Sequence, residues 1–438
     1  MNTAPPLLSA EPDCQTPPAV TPPVSRARRL IFLPVKFFLG MIFCQSMLGA
    51  LLVLGWTLRA MQRTTFRQWW KRGAPARNAG RFEDFMAASP NTVGHRHWPN
   101  WLRAQDFSCA TCRPGLLGWL RGVAIVWFGS LSENFRLGAQ GILNVWVLTL
   151  PGCVLWLFAW YDGWNNSFNK GYEQFWVGPA TGWFGILFFI TAMFYVPLAQ
   201  ARQAATGQWR SFYQFRLVWN LIRRQWLACL LLAVGYAALS LPVLVLKTAP
   251  TFFATNNPTL AALSDAEVLT LLRRYFFWSA ALVFPAYVVV RLAAARIYAA
   301  AVLDSIQSGA LPESELAEAE WEVLHRLDLL APQPPRLRSP LVWWLAFAGT
   351  RAGRAIAGFL TALVWLAFVA LIFTAEFFKY DGAHAWLNHP LVQLPWCRYV
   401  PAGLQNPGGE LVLAVVAGLV VLGIYRLRRE WRITRPGG

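Results

Sequence analysis

The chain has 438 residues, of which 56% are hydrophobic and only 14% are charged, and its net charge is +18. Soluble domains have about a quarter of their residues charged, so this composition excludes an ordinary soluble protein and predicts an integral membrane protein. The 24 tryptophans fit the aromatic belts of membrane–water interfaces. Basic loops facing anionic headgroups account for the positive charge. We therefore expect the lipid bilayer, its anionic headgroups and membrane proteins as partners, and no nucleic acid.

The N-terminal part of the chain divides into a tail and a first apolar segment. Residues 1–29 are rich in proline and predict a disordered tail. Residues 30–58, which include an apolar run at 37–58, predict a first transmembrane or re-entrant helix. Lysine and arginine flank this run on both sides, which conflicts with a single crossing under the positive-inside rule. The larger number of basic residues after the run favours a crossing with the N-terminus outside.

Residues 59–140 are strongly basic and predict a cytoplasmic loop with an interfacial amphipathic helix at 116–131. The loop contains two histidines followed by a Cys-x-x-Cys pair, a set of side chains that can complete a tetrahedral zinc site. These candidate ligands are His95, His97, Cys109 and Cys112. Their order and spacing differ from common zinc motifs, so ordinary loop residues and a redox dithiol remain as alternatives. Zinc is the one cofactor that the sequence suggests.

Residues 141–303 predict a four-helix transmembrane core. Its apolar runs have the length of about 20 residues that a membrane crossing requires. These runs lie at 141–161, 176–199, 226–246 and 276–299. The alternation of basic and nearly neutral loops orients them as two hairpins with the basic loops inside.

The two hairpins share short sequence patterns in the same order. LTLPGCVL at 148–155 resembles LSLPVLVL at 239–246, and VPLAQAR at 196–202 resembles VRLAAAR at 290–296. Apolar sequences match one another easily, so chance similarity is the alternative. Otherwise the patterns indicate a parallel duplication of a two-helix hairpin, with repeats at 141–202 and 232–296, as in some transporters.

Three arginines of this core are candidate sites for an anionic headgroup. Arg202 and Arg296 fall at the predicted cytoplasmic ends of the runs at 176–199 and 276–299, and Arg291 lies inside the run at 276–299. The alternative for the two terminal arginines is a snorkelling anchor that also complements the helix dipole. Arg291 either snorkels or faces a polar cavity.

Two predicted outer loops both begin with Tyr-Asp-Gly, at 161–163 and 380–382. This tripeptide favours a tight turn at the membrane surface. The functional alternative is an outer-face binding site, or a pair of carboxylates acting as acid and base. Its candidate residues are Asp162, Asn165, Glu173, Asp381 and His384.

The C-terminal third contains a cytoplasmic segment, a hairpin and a tail. Residues 304–354 include an acidic amphipathic helix at 312–330, which is either solvated or docked on the basic loops. Residues 355–425 predict the last transmembrane hairpin, and 426–438 form a basic cytoplasmic tail. The fold class is therefore an all-α polytopic membrane protein with a bundle of six to seven transmembrane helices. Short loops rich in arginine suggest a bacterial inner membrane.

No catalytic motif is present: the sequence has no phosphate-binding loop, His-Glu-x-x-His or Gly-x-Ser-x-Gly. We therefore assign no catalytic residue and favour a non-enzymatic role. One hypothesis is a permease-like or membrane-embedded accessory component that binds or moves a small or lipidic solute. The alternatives are a non-catalytic scaffold or assembly factor, and a lipid-modifying enzyme that uses the outer-face aspartates and histidines.

Overall fold

The computed structural model describes residues 26–73, 81–87, 116–159, 176–253, 257–331, 340–378, 395 and 396. The regular secondary structure in these segments is entirely helical. The helices are α1 (Arg26–Phe43), α2 (Met47–Arg72), α3 (Phe82–Ala87), α4 (Leu116–Phe158), α5 (Val177–Thr206), α6 (Phe215–Arg224), α7 (Trp226–Thr248), α8 (Pro258–Ala261), α9 (Asp265–Gln307), α10 (Glu318–Arg326) and α11 (Pro340–Phe378), with 3-10 turns at Trp209–Tyr213, Ala249–Phe252 and Glu313–Glu315.

Four segments are long and apolar enough to cross a membrane. They are Val177–Thr206, Trp226–Leu246, Asp265–Gln307 and Thr350–Ala370. This finding confirms the all-α class and indicates a membrane protein. The predicted total of six to seven spans is not confirmed, and the last predicted run, at 411–425, lies outside the described residues.

The first apolar run is divided between two helices. α1 ends at Phe43, and α2 begins at Met47 after Ser46 accepts a hydrogen bond from the Gly49 amide at 3.0 Å, a typical N-cap. The ring of Phe37 lies 6.0 Å from that of Phe284, whereas Gln45, further along the chain, donates to the carbonyl of the earlier residue Phe276 at 3.3 Å. α1 is therefore antiparallel to α9 as it approaches the turn. α2 runs parallel to α9, since its Trp56 contacts Phe284 and its Trp69 bonds the Ala299 carbonyl. A helical hairpin brings both basic flanks to one end, which removes the conflict that a single crossing creates.

α4 is one continuous helix of 43 residues. At about 1.5 Å per residue it is roughly 65 Å long, about twice the thickness of a bilayer's hydrocarbon core. The sequence predicts an interfacial helix at 116–131 and a separate span from residue 141, but the structure has no break between them. The residues between them include glycine and polar residues, which lower the local hydropathy without ending a helix.

α2 and α4 cross at very close range. A Cβ added to Gly55 would lie 1.7 Å from the Asn134 carbonyl oxygen, and one added to Gly138 would lie 1.9 Å from that of Leu51. Only glycine permits this approach of two backbones. The same helix α2 continues to Arg72, so residues 59–72, which the sequence assigns to a basic loop, are helical and largely buried.

α2, α5 and α9 finish at the same end of the bundle, which we call the basic end. Gln62 of α2 donates to the Ala205 carbonyl at 3.0 Å, and Trp69 donates to that of Ala299 at 2.9 Å. Gly207, with φ of 68°, ends α5 there. The spans of α7 and α11 run side by side in the same direction away from this end. Trp226 faces Gly353 near their start, and the rings of Tyr236 and Trp365 lie 5.6 Å apart about ten residues further along each helix.

The acidic segment predicted at 312–330 forms the short turn Glu313–Glu315 and α10, and α10 docks on the basic end. Arg326 of α10 donates to the Phe85 carbonyl at 2.9 Å, and its guanidinium lies 4.3 Å from the Phe85 ring centroid. Val323 and Leu324 of α10 are fully buried. The helix thus caps the bundle and carries one acidic residue, Glu320, into its interior.

Candidate functional site: buried arginines of the basic end

Four arginines are buried in the half of the bundle nearest the basic end. They are Arg59, Arg63, Arg202 and Arg291. Within the described ranges the one buried carboxylate is that of Glu320. A buried guanidinium without an anion is costly, because the charge loses its hydration in a medium of low dielectric constant. The partners of each arginine therefore determine what that arginine can do.

Arg202 is the most completely bonded of the four. Its Nη1 lies 2.6 Å from Glu320 Oε2 and 2.9 Å from the Tyr298 hydroxyl. Nε donates to Gln214 Oε1 at 2.8 Å, and Nη2 donates to the Glu315 carbonyl at 2.8 Å. All three guanidinium nitrogens are thus occupied, although the side chain of Arg202 is only 1% exposed.

Glu320 is held in place by its own helix as well as by Arg202. It occupies the third position of α10, where Oε2 accepts a hydrogen bond from the Ala317 amide at 3.2 Å. Its Oε1 accepts from the Tyr298 hydroxyl at 2.5 Å. A carboxylate at a helix N-terminus is favoured by the helix dipole, so one side chain both caps α10 and neutralises Arg202. The arrangement joins α5, α9 and α10 through a charged contact sealed from water.

Arg59 has a smaller set of partners. Its Nη1 donates to Asn134 Oδ1 at 3.0 Å across the close crossing of α2 and α4. Arg59 Nε and Asn134 Nδ2 are buried without a hydrogen-bond partner. The neighbouring Arg63 places its guanidinium 5.0 Å from the ring centroid of Phe82 in α3. Arg59 is therefore only partly hydrogen-bonded, although the nearby carboxylate of Glu133 attracts its charge.

Arg291 differs from all of these. It lies seven residues, or about 10 Å of helix, before Tyr298, and it is 2% exposed. Its guanidinium carbon lies 3.7 Å from the centroid of the Tyr287 ring. In the part of the chain that the structure describes, Arg291 has no hydrogen bond and no ion pair, and its Nε and the Tyr287 hydroxyl are buried without a partner.

The surroundings of Arg291 are aromatic rather than acidic. Tyr236 and Tyr287 interact electrostatically with Arg291, and Cys44 at the α1–α2 turn lies near Tyr287. The cation–π contact with Tyr287 contributes on the order of 2 kcal/mol when desolvated. That is less than the several kcal/mol that burial of an ion costs. The surroundings of Arg291 are therefore positively charged and partly aromatic, and they lack an anion among the described residues.

The structure places the three arginines predicted to bind headgroups in different surroundings. Arg202 is saturated with protein partners, Arg291 is buried and uncompensated, and Arg296 is exposed. Headgroup binding stays a prediction for each. The predicted outer-face and zinc residues lie outside the described residues. The described residues alone contain no cluster of three or more potential metal ligands, which does not test the zinc prediction.

Sequence reasoning missed Glu320, Tyr298 and Arg59 as members of the buried network. Glu320 is one of several acidic residues in its segment, and only its position three residues after Ala317 marks it as a capping residue. Tyr298 lies two residues after the end of the repeated motif VRLAAAR, which ends at Arg296. Arg59 follows an apolar run and has the position of an ordinary flanking charge.

Comparison of the chain with protein-family models, curated proteins and solved structures finds no match. Its function has to be inferred from its own residues.

Proposed function

We propose that this protein is a permease-like multi-pass membrane protein that binds, and moves, a small or lipidic anionic solute at Arg291. The observation that carries the proposal is the buried guanidinium of Arg291, which has no hydrogen bond or ion pair within the described residues. Ionisable groups inside membrane spans commonly mark substrate or ion pathways. A solute carboxylate or phosphate would supply the missing hydrogen-bond acceptors.

The arrangement of the helices around Arg291 supports this proposal. Arg291 lies in the long helix α9, between two positions at which the hairpin of α1 and α2 contacts this helix. These positions are Phe284, seven residues before Arg291, and Ala295, four residues after it. The opposing side chain Tyr236 comes from α7. A buried side chain enclosed by several separate helices can become accessible to a solute through small movements of one helix against another.

The membrane setting is part of the same proposal. We place the protein in the bacterial inner membrane with six to seven spans, the basic end in the cytoplasm and the C-terminus on the same side. Five arginines at 200–225 and a basic C-terminal tail support this orientation under the positive-inside rule. The bilayer, its anionic headgroups and membrane proteins are the proposed partners, and nucleic acid is not.

The test compares anion-induced stabilisation of the full-length protein and of Arg291→Gln. Both are purified in detergent and heated with acetate, inorganic phosphate or laurate as probes. A ligand that binds only the folded state raises the unfolding temperature. We expect at least one probe to raise it in the wild type and to lose this effect in Arg291→Gln. Arg273→Gln, which removes an exposed arginine of the same helix, is the matched control.

Two results would contradict the proposal. The first is that none of the three anions stabilises the wild type. The second is that the stabilisation persists in Arg291→Gln or disappears equally in Arg273→Gln, which would assign it to general surface charge.

A scaffold or assembly factor is the second candidate function. The observation that favours it is the docking of α10 through the fully buried contact between Arg202 and Glu320, which rigidifies the basic end. This end also presents a polar cleft, lined in part by Arg223 and Arg354, that does not include Arg291. A scaffold predicts that the protein is recovered with a membrane partner, and that Arg291→Gln leaves this recovery unchanged.

A further inference from the structure

A polar cleft opens at the basic end, between α6, the end of α9 and the beginning of the α11 span. Its volume is about 540 Å³, within the range of about 300–1,000 Å³ typical of ligand pockets. Three arginines line it, Arg223 and Arg224 from α6 and Arg354 from α11, together with the carboxylates of Asp304 and Glu315. Asn220 and Ser305 contribute further polar groups. The arginines therefore outnumber the carboxylates.

The three arginines have different partners. Arg224 is held by the end of α9, because its Nη1 donates to the Asp304 carbonyl at 3.2 Å and to the Ser308 hydroxyl. The Asp304 carboxylate in turn accepts from the side chain of Gln225. Arg223 and Arg354, by contrast, form no hydrogen bond or ion pair with any part of the chain that the structure describes. Two exposed guanidinium groups on separate helices thus line one cleft, and neither is paired with the carboxylates of Asp304 and Glu315 that line it as well.

The position of the cleft indicates the kind of anion. Arg224 lies two residues before the span Trp226–Leu246, and Arg354 lies in the first turn or two of the span Thr350–Ala370. Both helices continue into exposed apolar side chains, which are Leu227, Leu231, Ile356, Phe359 and Leu360. The polar cleft therefore lies where the apolar surfaces of α7 and α11 begin, at the depth that a lipid phosphate occupies when its acyl chains follow those surfaces.

We infer that this cleft binds the phosphate of an anionic lipid headgroup, with Arg223 and Arg354 as its principal ligands and Arg224 as a fixed third donor. Arginine suits this role because it is always positively charged and donates hydrogen bonds to phosphate oxygens, and the positive charge supplies most of the attraction to an anionic headgroup. The site is separate from Arg291 and independent of the solute proposed for it. It would attach the amphipathic helix α6 and the α11 span to one lipid molecule and so fix the basic end at the membrane surface.

The experiment measures lipid retention by the full-length protein. The protein is placed in nanodiscs containing equal amounts of phosphatidylglycerol and phosphatidylcholine, extracted in mild detergent, and its bound lipids are counted by native mass spectrometry. We expect the wild type to retain phosphatidylglycerol selectively. The double variant Arg223→Gln, Arg354→Gln should reduce this preference roughly 25-fold, or about fivefold for each arginine. Arg216→Gln, an exposed arginine of the same helix outside the cleft, should retain it.

Two further arms distinguish the sources of phosphate and the effects of folding. Excess inorganic phosphate should leave the retained lipid in place, since the apolar helix surfaces also hold it. The charge-conserving double variant Arg223→Lys, Arg354→Lys should fold and keep most of the preference, even if the glutamine variant does not fold. Absence of selectivity in the wild type, an equal loss in Arg216→Gln, release of lipid by inorganic phosphate, or loss of preference in the folded lysine variant would each overturn the inference.

Discussion

Arg202 and Arg291 are both almost completely buried arginines near the basic end, yet their surroundings are opposite. Arg202 contacts a carboxylate, a phenol, an amide oxygen and a backbone carbonyl through its three nitrogens. Arg291 lies against the face of Tyr287 and has no acceptor within the described residues. The two side chains lie on the neighbouring helices α5 and α9, about two helical turns apart in depth.

The difference separates an arginine that holds the structure together from one that is available to a ligand. Once both charges of a buried pair are fully hydrogen-bonded, the pair fixes which elements pack together, but it offers nothing to a solute. An uncompensated charge lowers stability, and proteins retain such groups mainly where function requires them. This contrast is tested by changing each arginine or its partners and measuring the free energy of unfolding.

The largest effect is expected for Glu320→Ala. This change leaves the Arg202 guanidinium buried beside Tyr298 without an anion and also removes the cap from α10. We expect the free energy of unfolding to fall by about 3–5 kcal/mol. It is measured by unfolding the full-length protein in mixed micelles with increasing SDS. Glu318→Ala, at an exposed position of the same helix, should cost less than about 1 kcal/mol.

A double variant sharpens this prediction. Arg202→Met combined with Glu320→Leu removes both charges and should recover most of the stability lost in Glu320→Ala, because an apolar pair needs no compensation. If the double variant is as unstable as the single variant, the loss does not come from an unpaired buried charge.

Arg291→Met should change stability in the opposite direction. Methionine keeps an unbranched apolar side chain next to Tyr287 but removes the uncompensated charge. We expect the free energy of unfolding, measured in the same micelles without added anions, to rise by about 1–4 kcal/mol. A decrease of similar size would mean that Arg291 has an anionic partner in the protein and that the contrast with Arg202 is not real.

The sequence predicts this contrast only in part. The apolar runs predict the four spans that the structure supports, because burial in lipid imposes length and composition on a helix. Arg291 is recognisable because it interrupts such a run. The partners of Arg202 are not recognisable, since Gln214, Tyr298 and Glu320 are brought together by tertiary packing over separations of up to 118 residues.

The positions of helix ends are also poorly predicted by the sequence. A single apolar run at 37–58 predicts one helix, and only the cap at Ser46 reveals that the chain turns back. At 116–131 the opposite occurs: the sequence predicts that a helix ends before the following span, but α4 continues without a break. Polar residues lower hydropathy, but glycine and asparagine at 134–138 serve the close crossing with α2 instead of ending α4. Hydropathy measures contact with lipid, whereas capping and close helix packing determine where a helix ends.

Arg59 provides an intermediate case, because it has one side-chain acceptor where Arg202 has several and Arg291 has none. Asn134→Ala removes that acceptor and leaves Arg59 buried at the crossing of α2 and α4. We expect the free energy of unfolding to fall by about 1.5–3 kcal/mol, the usual cost of losing a hydrogen bond to a charged group. The comparison with Arg59→Met, Asn134→Ala is decisive. If the double variant is no more stable than the single variant, the loss arises from packing at the crossing and not from the charge.

The smallest effect is expected for Tyr298→Phe, which removes one hydroxyl and leaves the ion pair between Arg202 and Glu320 intact. That hydroxyl accepts from Arg202 at 2.9 Å and donates to Glu320 at 2.5 Å. Both charged partners retain other hydrogen bonds, so we expect a loss of about 1–2 kcal/mol in the same unfolding measurement. The effect should disappear in the background of Arg202→Met, Glu320→Leu, since no charge then remains for the hydroxyl to bond. An equal loss in both backgrounds would assign the role of Tyr298 to ring packing, and Arg202 would still differ from Arg291 through its ion pair with Glu320 and its bonds to Gln214 and the Glu315 carbonyl.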